Sequence, residues 1–204
     1  MRYAGLVVLT LGVLMLAACG GRSAAQKAKS QCPTTGAKVT FPLLDKSKPY
    51  TVNVLTNFGA FDIRLDVADS PCTTSSFAAL VRKGFFAGTR FHRIVPGFVI
   101  QGGDPTGTGR GGPGYSVLDV PPRNSLYTEG VVAMAKADNE PAGTAGSQFF
   151  VVTAPDAGLP PQYAILGVVT KGLHVVERIG KLGNRTTGRP TRKVVVLRMD
   201  LATS

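Results

Sequence analysis

Phe91-His92-Arg93-Ile94-Val95-Pro96-Gly97-Phe98-Val99-Ile100-Gln101-Gly102-Gly103-Asp104, FHRIVPGFVIQGGD in one-letter code, is the stretch on which the fold turns. Two short β-rich pieces, residues 90–94 and 99–102, flank Pro96-Gly97, a pair that marks turns. Side chains alternate between the faces of an extended strand, so Arg93, Val99 and Gln101 fall on one parity. That parity draws a guanidinium and an amide together, and the same stretch sets the ring of Phe98 close by. A second block, Ala145-Gly146-Ser147-Gln148-Phe149-Phe150, sets another amide two residues from an aromatic ring. Polar donors next to phenylalanines supply the rim and wall of an apolar binding pocket.

Moving outward, Thr51–Leu55 reads as a strand, Asn57-Phe58-Gly59 as a turn and residues 60–67 as a second strand. Phe61, Ile63, Leu65 and Val67 share one face of that hairpin. Ser70-Pro71 opens a helix that Thr73 or Thr74 can cap. Phe77, Leu80 and Val81 form its apolar stripe, and Gly84 ends it. Short β-rich runs recur at residues 130–135, 148–153, 164–169 and 192–201. Leu173, Val176 and Ile179 give a second helical stripe over residues 172–179. Many short strands, glycine turns and two modest helices predict an all-β fold, an antiparallel barrel rather than a parallel sheet with crossover helices. Residues 20–48, rich in Gly, Ser, Lys, Thr and Pro, read as a linker.

FHRIVPGFVIQGGD (91–104), together with VVAMAKADNEPAGTAGSQFFVVT (131–153), closely resembles the cyclophilin-type peptidyl-prolyl isomerases. The resemblance runs from about Tyr50 to Leu201. It implies a closed eight-stranded antiparallel barrel capped by two helices. It implies Arg93 as the catalytic arginine and Gln101 as the amide that bonds substrate backbone and holds that arginine. Phe98, Val99, Phe150 and Leu159 match the walls of the proline pocket, with His92 at a position that lines it. Ala135 and Lys136 match the strand that pairs with the bound peptide, while Thr144 and Gln148 match the border of the neighbouring pocket. Gly158 stands where many members carry Trp, which weakens the expectation of cyclosporin affinity. Tyr163 stands where eukaryotic members carry His, and Lys136 replaces a usual Asn. No metal, cofactor or nucleophile is implied. The alternative function is a non-catalytic chaperone or adhesin module that binds proline peptides in the same groove; an intact Arg93 with Gln101 and Phe98 favours the enzyme.

The remaining sequence speaks to location. Met1–Cys19 carries one positive charge, Arg2, then an apolar run from Ala4 to Leu16, then small residues before a cysteine. This is a secretory signal layout, too short for a comfortable membrane span. Leu16-Ala17-Ala18-Cys19 resembles the bacterial lipoprotein signal, which implies cleavage before Cys19 and diacylation of its thiol. The predicted organisation is a signal peptide at 1–18, a lipidated flexible tether at 19–48 and the isomerase domain at 49–204. With Cys19 acylated, Cys32 and Cys72 remain as an even pair, and an exported chain permits a bridge between them.

The 204 residues carry 23 Lys+Arg against 12 Asp+Glu, a net charge of +11. A basic chain invites a nucleic-acid reading. Residues 22–50, however, hold six basic side chains and one acid, residues 171–204 eight and two, and residues 51–170 eight and nine. The motif-rich middle is therefore close to neutral, and the basic segments lack the interleaved aromatics that single-stranded nucleic acid needs. A basic tether beside a lipid anchor suits an anionic membrane surface instead. Gly107-Thr108-Gly109-Arg110-Gly111-Gly112 formally matches a dinucleotide-binding fingerprint, but Pro113-Gly114 follows where a helix should begin, so it reads as a loop. Ser147 lacks a nucleophile elbow, which removes a hydrolase reading with His92 and Asp104. The expectation is a monomeric isomerase acting on proline-containing segments of exported proteins, lipid-anchored on the extracytoplasmic side of the cell membrane and independent of nucleic acid.

Overall fold

The computed structural model describes Met1 and residues 32–203. The signal segment and Cys19 lie outside the described residues. A strand β1 (Thr35–Gly36) precedes the hairpin β2 (Tyr50–Thr56) and β3 (Gly59–Leu65), then helix α1 (Pro71–Arg82). The chain continues through β4 (Arg93–Val95), β5 (Val99–Gly102), β6 (Tyr115–Leu118), β7 (Val131–Met134), β8 (Thr144–Ala145) and β9 (Phe149–Val152). It closes with β10 (Ile165–Lys171), helix α2 (Leu173–Gly180) and β11 (Val196–Thr203).

Eight strands form one antiparallel sheet in the order β11-β2-β3-β10-β7-β9-β5-β4. The alternation that predicted the hairpin holds: Tyr50, Val52, Val54 and Thr56 are buried on β2, and Phe61, Ile63 and Leu65 on β3. Val54 lies opposite Phe61 and Val52 opposite Ile63, so both strands send their apolar faces to one side. The expected barrel closes differently from a continuous ring of ladders. The edges β11 and β4 share no ladder. The chain just before β4 meets the approach to β11 through an isolated bridge, Arg90 to Val195. Single hydrogen bonds add to it: Gly88 N to Val196 O (2.8 Å), Phe91 N to Val194 O (3.1 Å) and Val196 N to Thr89 O (2.9 Å).

Helix α1 packs on β11 and β6, and α2 on β3, β4 and β5. Phe77 of α1 joins an aromatic core with Phe86 (4.7 Å between ring centres) and, edge-on, Phe149 (5.7 Å). Neither Thr73 nor Thr74 caps α1. Both lie inside it: Pro71 fixes the first turn, and the Thr74 hydroxyl donates back to Ser70 O. The Thr73 amide finds its acceptor outside the helix, on Asp119 Oδ2 at 2.6 Å, so a carboxylate from a distant loop supplies the cap.

The linker reading fails from Cys32 onward. Cys32, Phe41 and Leu44 are buried, Phe41 stacks on Tyr115, and Leu44 N donates to Ser75 Oγ at 2.9 Å. Three apolar anchors in a polar, Pro-containing segment suffice to fix it, and average composition hides them. Cys32 is bridged to Cys72 on α1, with Cα atoms 5.5 Å apart. The segment also contributes β1 to a second sheet, β1-β6-β8. Residues 32–48 are therefore part of the packed domain, ahead of the expected boundary at residue 49.

Candidate active site

Strands β4 and β5 pair with Arg93 opposite Gln101 and Val95 opposite Val99. Cross-strand partners share a face, and Arg93 Nη1 donates to Gln101 Oε1 at 3.3 Å. The chain of bonds continues inward. Gln101 Nε2 donates to Gln148 Oε1 at 3.1 Å, and Gln148 Nε2 donates to the Gly111 carbonyl at 2.9 Å. Each amide is oriented by the next, so the oxygen of Gln101 is the end that faces the guanidinium. On its other side the guanidinium lies 5.8 Å from the centre of the Phe98 ring.

Arg93, Phe98, Val99 and Gln101 border a cavity of about 330 Å³. Phe150, which pairs with Gln101 across β5 and β9, contributes its wall with Leu159 and Tyr163. Ala135, Lys136 and Asp138 complete it. Phe150 and Tyr163 meet edge to face at 5.4 Å, and the Lys136 ammonium sits 5.8 Å from the Tyr163 ring centre. The Ala135 amide donates to Gln148 O at 2.9 Å, so its carbonyl is the group it can present to a peptide. Gly158, next to the lining residue Leu159, has φ +61, and a Cβ there would stand in open space. Among the described residues no cluster of three or more His, Cys, Asp or Glu is placed to hold a metal ion.

Two expected site residues lie elsewhere. His92 lines neither this cavity nor the larger one beside it. It neighbours Arg93 in an extended segment, so it turns to the opposite face, where a Cβ on Gly109 would touch its ring. Burial pushes its pKa down, partly opposed by the Asp104 carboxylate. Thr144 is buried in β8, and its hydroxyl is spent on Pro141 O at 2.8 Å. Gln148 borders the larger cavity and touches the smaller one only through Gln101.

Two residues to which the sequence reading gave no place in the binding site hold it together. Buried Tyr127 grips Tyr163 by its backbone: its hydroxyl donates to Tyr163 O (2.8 Å) and accepts from Tyr163 N (3.0 Å). It comes from a segment without periodicity, so the sequence carries no signal for it. Asp104, the last residue of the opening motif, is fully buried and organises the loop that supplies the Gly111 carbonyl. It accepts from the Thr106 amide (2.7 Å) and hydroxyl (2.8 Å) and from the Gly109 amide (2.5 Å). A Cβ on Gly111 would overlap the Asp104 carboxylate, so only glycine passes there. Burial alone would raise the Asp104 pKa; hydrogen bonds from Thr106, Gly111 and Gly109 outweigh it and hold the value at about 2. Residues 107–112 form loop throughout, with no helix behind them.

Residues 51–201 match the family described as cyclophilin type peptidyl-prolyl cis-trans isomerase/CLD. The chain is 38% identical over 157 residues to peptidyl-prolyl cis-trans isomerase CYP18-2 of Arabidopsis thaliana, covering 75% of this chain and 94% of that protein. It is 38% identical over 160 residues to human peptidyl-prolyl cis-trans isomerase-like 1, covering 76% and 93% respectively. A crystal structure of a Cryptosporidium parvum cyclophilin type peptidyl-prolyl cis-trans isomerase, in the presence of the dipeptide Ala-Pro, superposes with a TM-score of 0.69 at 30% identity. That match covers 76% of this chain and 99% of the other. Motif, curled antiparallel sheet and whole-length relatives agree, and the chain belongs to the cyclophilin-type peptidyl-prolyl cis-trans isomerases.

Proposed function

We propose that this isomerase acts on X–Pro bonds of exported proteins at a membrane surface, with Arg93 as its catalytic residue. An X–Pro bond isomerises over a barrier of about 18–20 kcal/mol because twisting destroys amide resonance. The twisted state has a pyramidal proline nitrogen with an available lone pair and a less delocalised carbonyl. A guanidinium held in place donates to these groups better in the twisted state than in the planar one, and only such differential binding speeds the step. Phe98, Val99, Phe150 and Leu159 grip the proline ring while the preceding carbonyl swings, and Gln101 keeps Arg93 in position. The observation that carries this reading is the hydrogen-bonded series Arg93–Gln101–Gln148–Gly111 along the edge of an apolar cavity.

Attachment through acyl chains on Cys19 is supported by the sequence Leu16-Ala17-Ala18-Cys19 and by the net +5 charge of residues 22–50. Two acyl chains give stable anchoring where one is marginal. The bridge between Cys32 and Cys72 suits an oxidising, extracytoplasmic compartment.

A protease-coupled assay on a proline peptide, with the full chain, tests the catalytic part. Arg93→Ala is expected to lower kcat/KM by about 100-fold or more, the order seen when one preorganised donor is lost. Arg93→Lys should recover little, since the ammonium lacks the planar fork. A wild-type rate no faster than the uncatalysed reaction, or an Arg93→Ala rate equal to wild type, overturns it. For the anchor, intact-mass measurement of membrane-extracted protein should show a diacyl addition that Cys19→Ala abolishes.

A further inference from the structure

Residues 32–48 precede the family match, which begins at residue 51, and yet they reach the site. Thr35 and Gly36 pair antiparallel with Ser116 and Tyr115, and Ala37 N donates to Gly114 O at 3.0 Å. Gly36 has φ +86, and a Cβ there would stand 2.7 Å from the Gly114 carbonyl. The strap lies flush on the glycine loop only because residue 36 has no side chain. It is clamped from behind. The Thr34 hydroxyl closes its turn on Ala37 O, Phe41 stacks on Tyr115, the Tyr115 hydroxyl meets Ser76 of α1 at 3.0 Å, and Cys32 is bonded to Cys72.

In front of the strap lies a cavity of about 590 Å³. Thr35, Gly36 and the loop of residues 109–114 line one side; Ala135, Lys136, Ala137 and Glu140 line another. Gln101, Ala135 and Lys136 also border the smaller cavity beside Arg93, so the two spaces are continuous. A peptide with its proline against Phe98 and Phe150, paired along Ala135 and Lys136 as the resemblance implies, would carry its preceding residues into the larger space. Its lining includes two cationic residues, Arg110 and Lys136, and the hydroxyl-bearing Thr35; the Lys136 ammonium also donates to Ala137 O at 3.1 Å. The one lining carboxylate, Glu140, is already engaged, accepting from the Ala137 amide at 2.6 Å.

We propose that the strap formed by residues 34–37 is a specificity-determining wall of the isomerase, favouring substrates with a long acceptor side chain, Glu or Gln, two residues before proline. This rests on the placement of the proline beside Arg93. The structural basis is a segment from outside the family match, covalently clasped to α1, that supplies one side of the space the peptide enters.

The test measures KM and kcat for full-length protein on two peptides that differ only in Glu or Ala two residues before proline. Wild type should show a KM about tenfold lower for the Glu peptide, the low end of what one pocket contact contributes. Gly36→Val, which pushes the strap off Gly114, should bring that ratio toward one. The double variant Cys32→Ser with Cys72→Ser, which unclasps the strap without touching it, should move the ratio the same way. Intact thermal unfolding of either variant establishes that the domain is folded. Turnover with a ratio near one in wild type, or a ratio unmoved in both variants, overturns the strap and leaves the Arg93 site standing. Absence of turnover on both peptides in wild type overturns the site reading and the strap with it.

Discussion

At Asp104 a single carboxylate determines the shape of a loop and, through that loop, the orientation of two glutamines. Its pKa is held at about 2 against an ordinary value of 3.8, so the ionised form is the one the folded state prefers. The sign follows: its stabilisation is complete above about pH 4 and is lost as pH falls toward 2. A shift of that size corresponds to ~2 kcal/mol. Denaturant unfolding followed by circular dichroism at a series of pH values should show wild type losing stability in that window. Asp104→Asn should be less stable at neutral pH and lose part of the acid dependence; an unchanged acid limb would exclude this role. Arg93 and Gln101 could be paired from parity alone, because two strands about one Pro-Gly turn leave few registers. His92 and Thr144 were expected near the substrate through resemblance, and local geometry moved both: one faces away because its neighbour faces in, the other spends its hydroxyl on Pro141. Tyr127 acts across 36 positions of sequence, a separation that no local pattern encodes.

Among the elements, the hairpin β2–β3 and both helices were legible because their apolar periodicity is long enough to count. The second sheet was not. Its strands β1 and β8 have two residues each, too few for alternation to register, and they exist because neighbours hold them in place. The bridge from Cys32 to Cys72 is the firmest of those supports for β1. It closes a separation of 40 residues, for which chain-entropy arithmetic gives about 4 kcal/mol. Reduction, or replacement of both cysteines by serine, should therefore lower the melting temperature by about 10 °C for a domain of this size. Calorimetry with and without reductant measures it; coincident transitions would mean that the bridge constrains nothing beyond what packing already fixes.

For the whole molecule, composition pointed to a polyanion partner, whereas the sequence distribution of charge leaves the catalytic middle nearly neutral. Fold class was readable from many short strands and glycine turns; the manner of closure was not, since it depends on residues 88–91 meeting residues 194–196 across a hundred positions. That closure carries a dynamic consequence. Arg93 sits on the edge strand next to the seam, and among the described residues β4 takes one backbone hydrogen bond on its outer side, from Ile94 N to Gly188 O at 2.8 Å. Local opening follows the line with the fewest cooperative bonds. Amide hydrogen exchange should therefore release Gly88, Phe91 and Val196 about tenfold or more faster than Val132 and Val151, which face each other in the centre of the sheet. Equal protection at both places would mean that the seam is as strong as the ladders. If it parts first, the sheet breathes beside the Arg93 guanidinium, and each opening loosens the strand that holds Arg93 against Gln101.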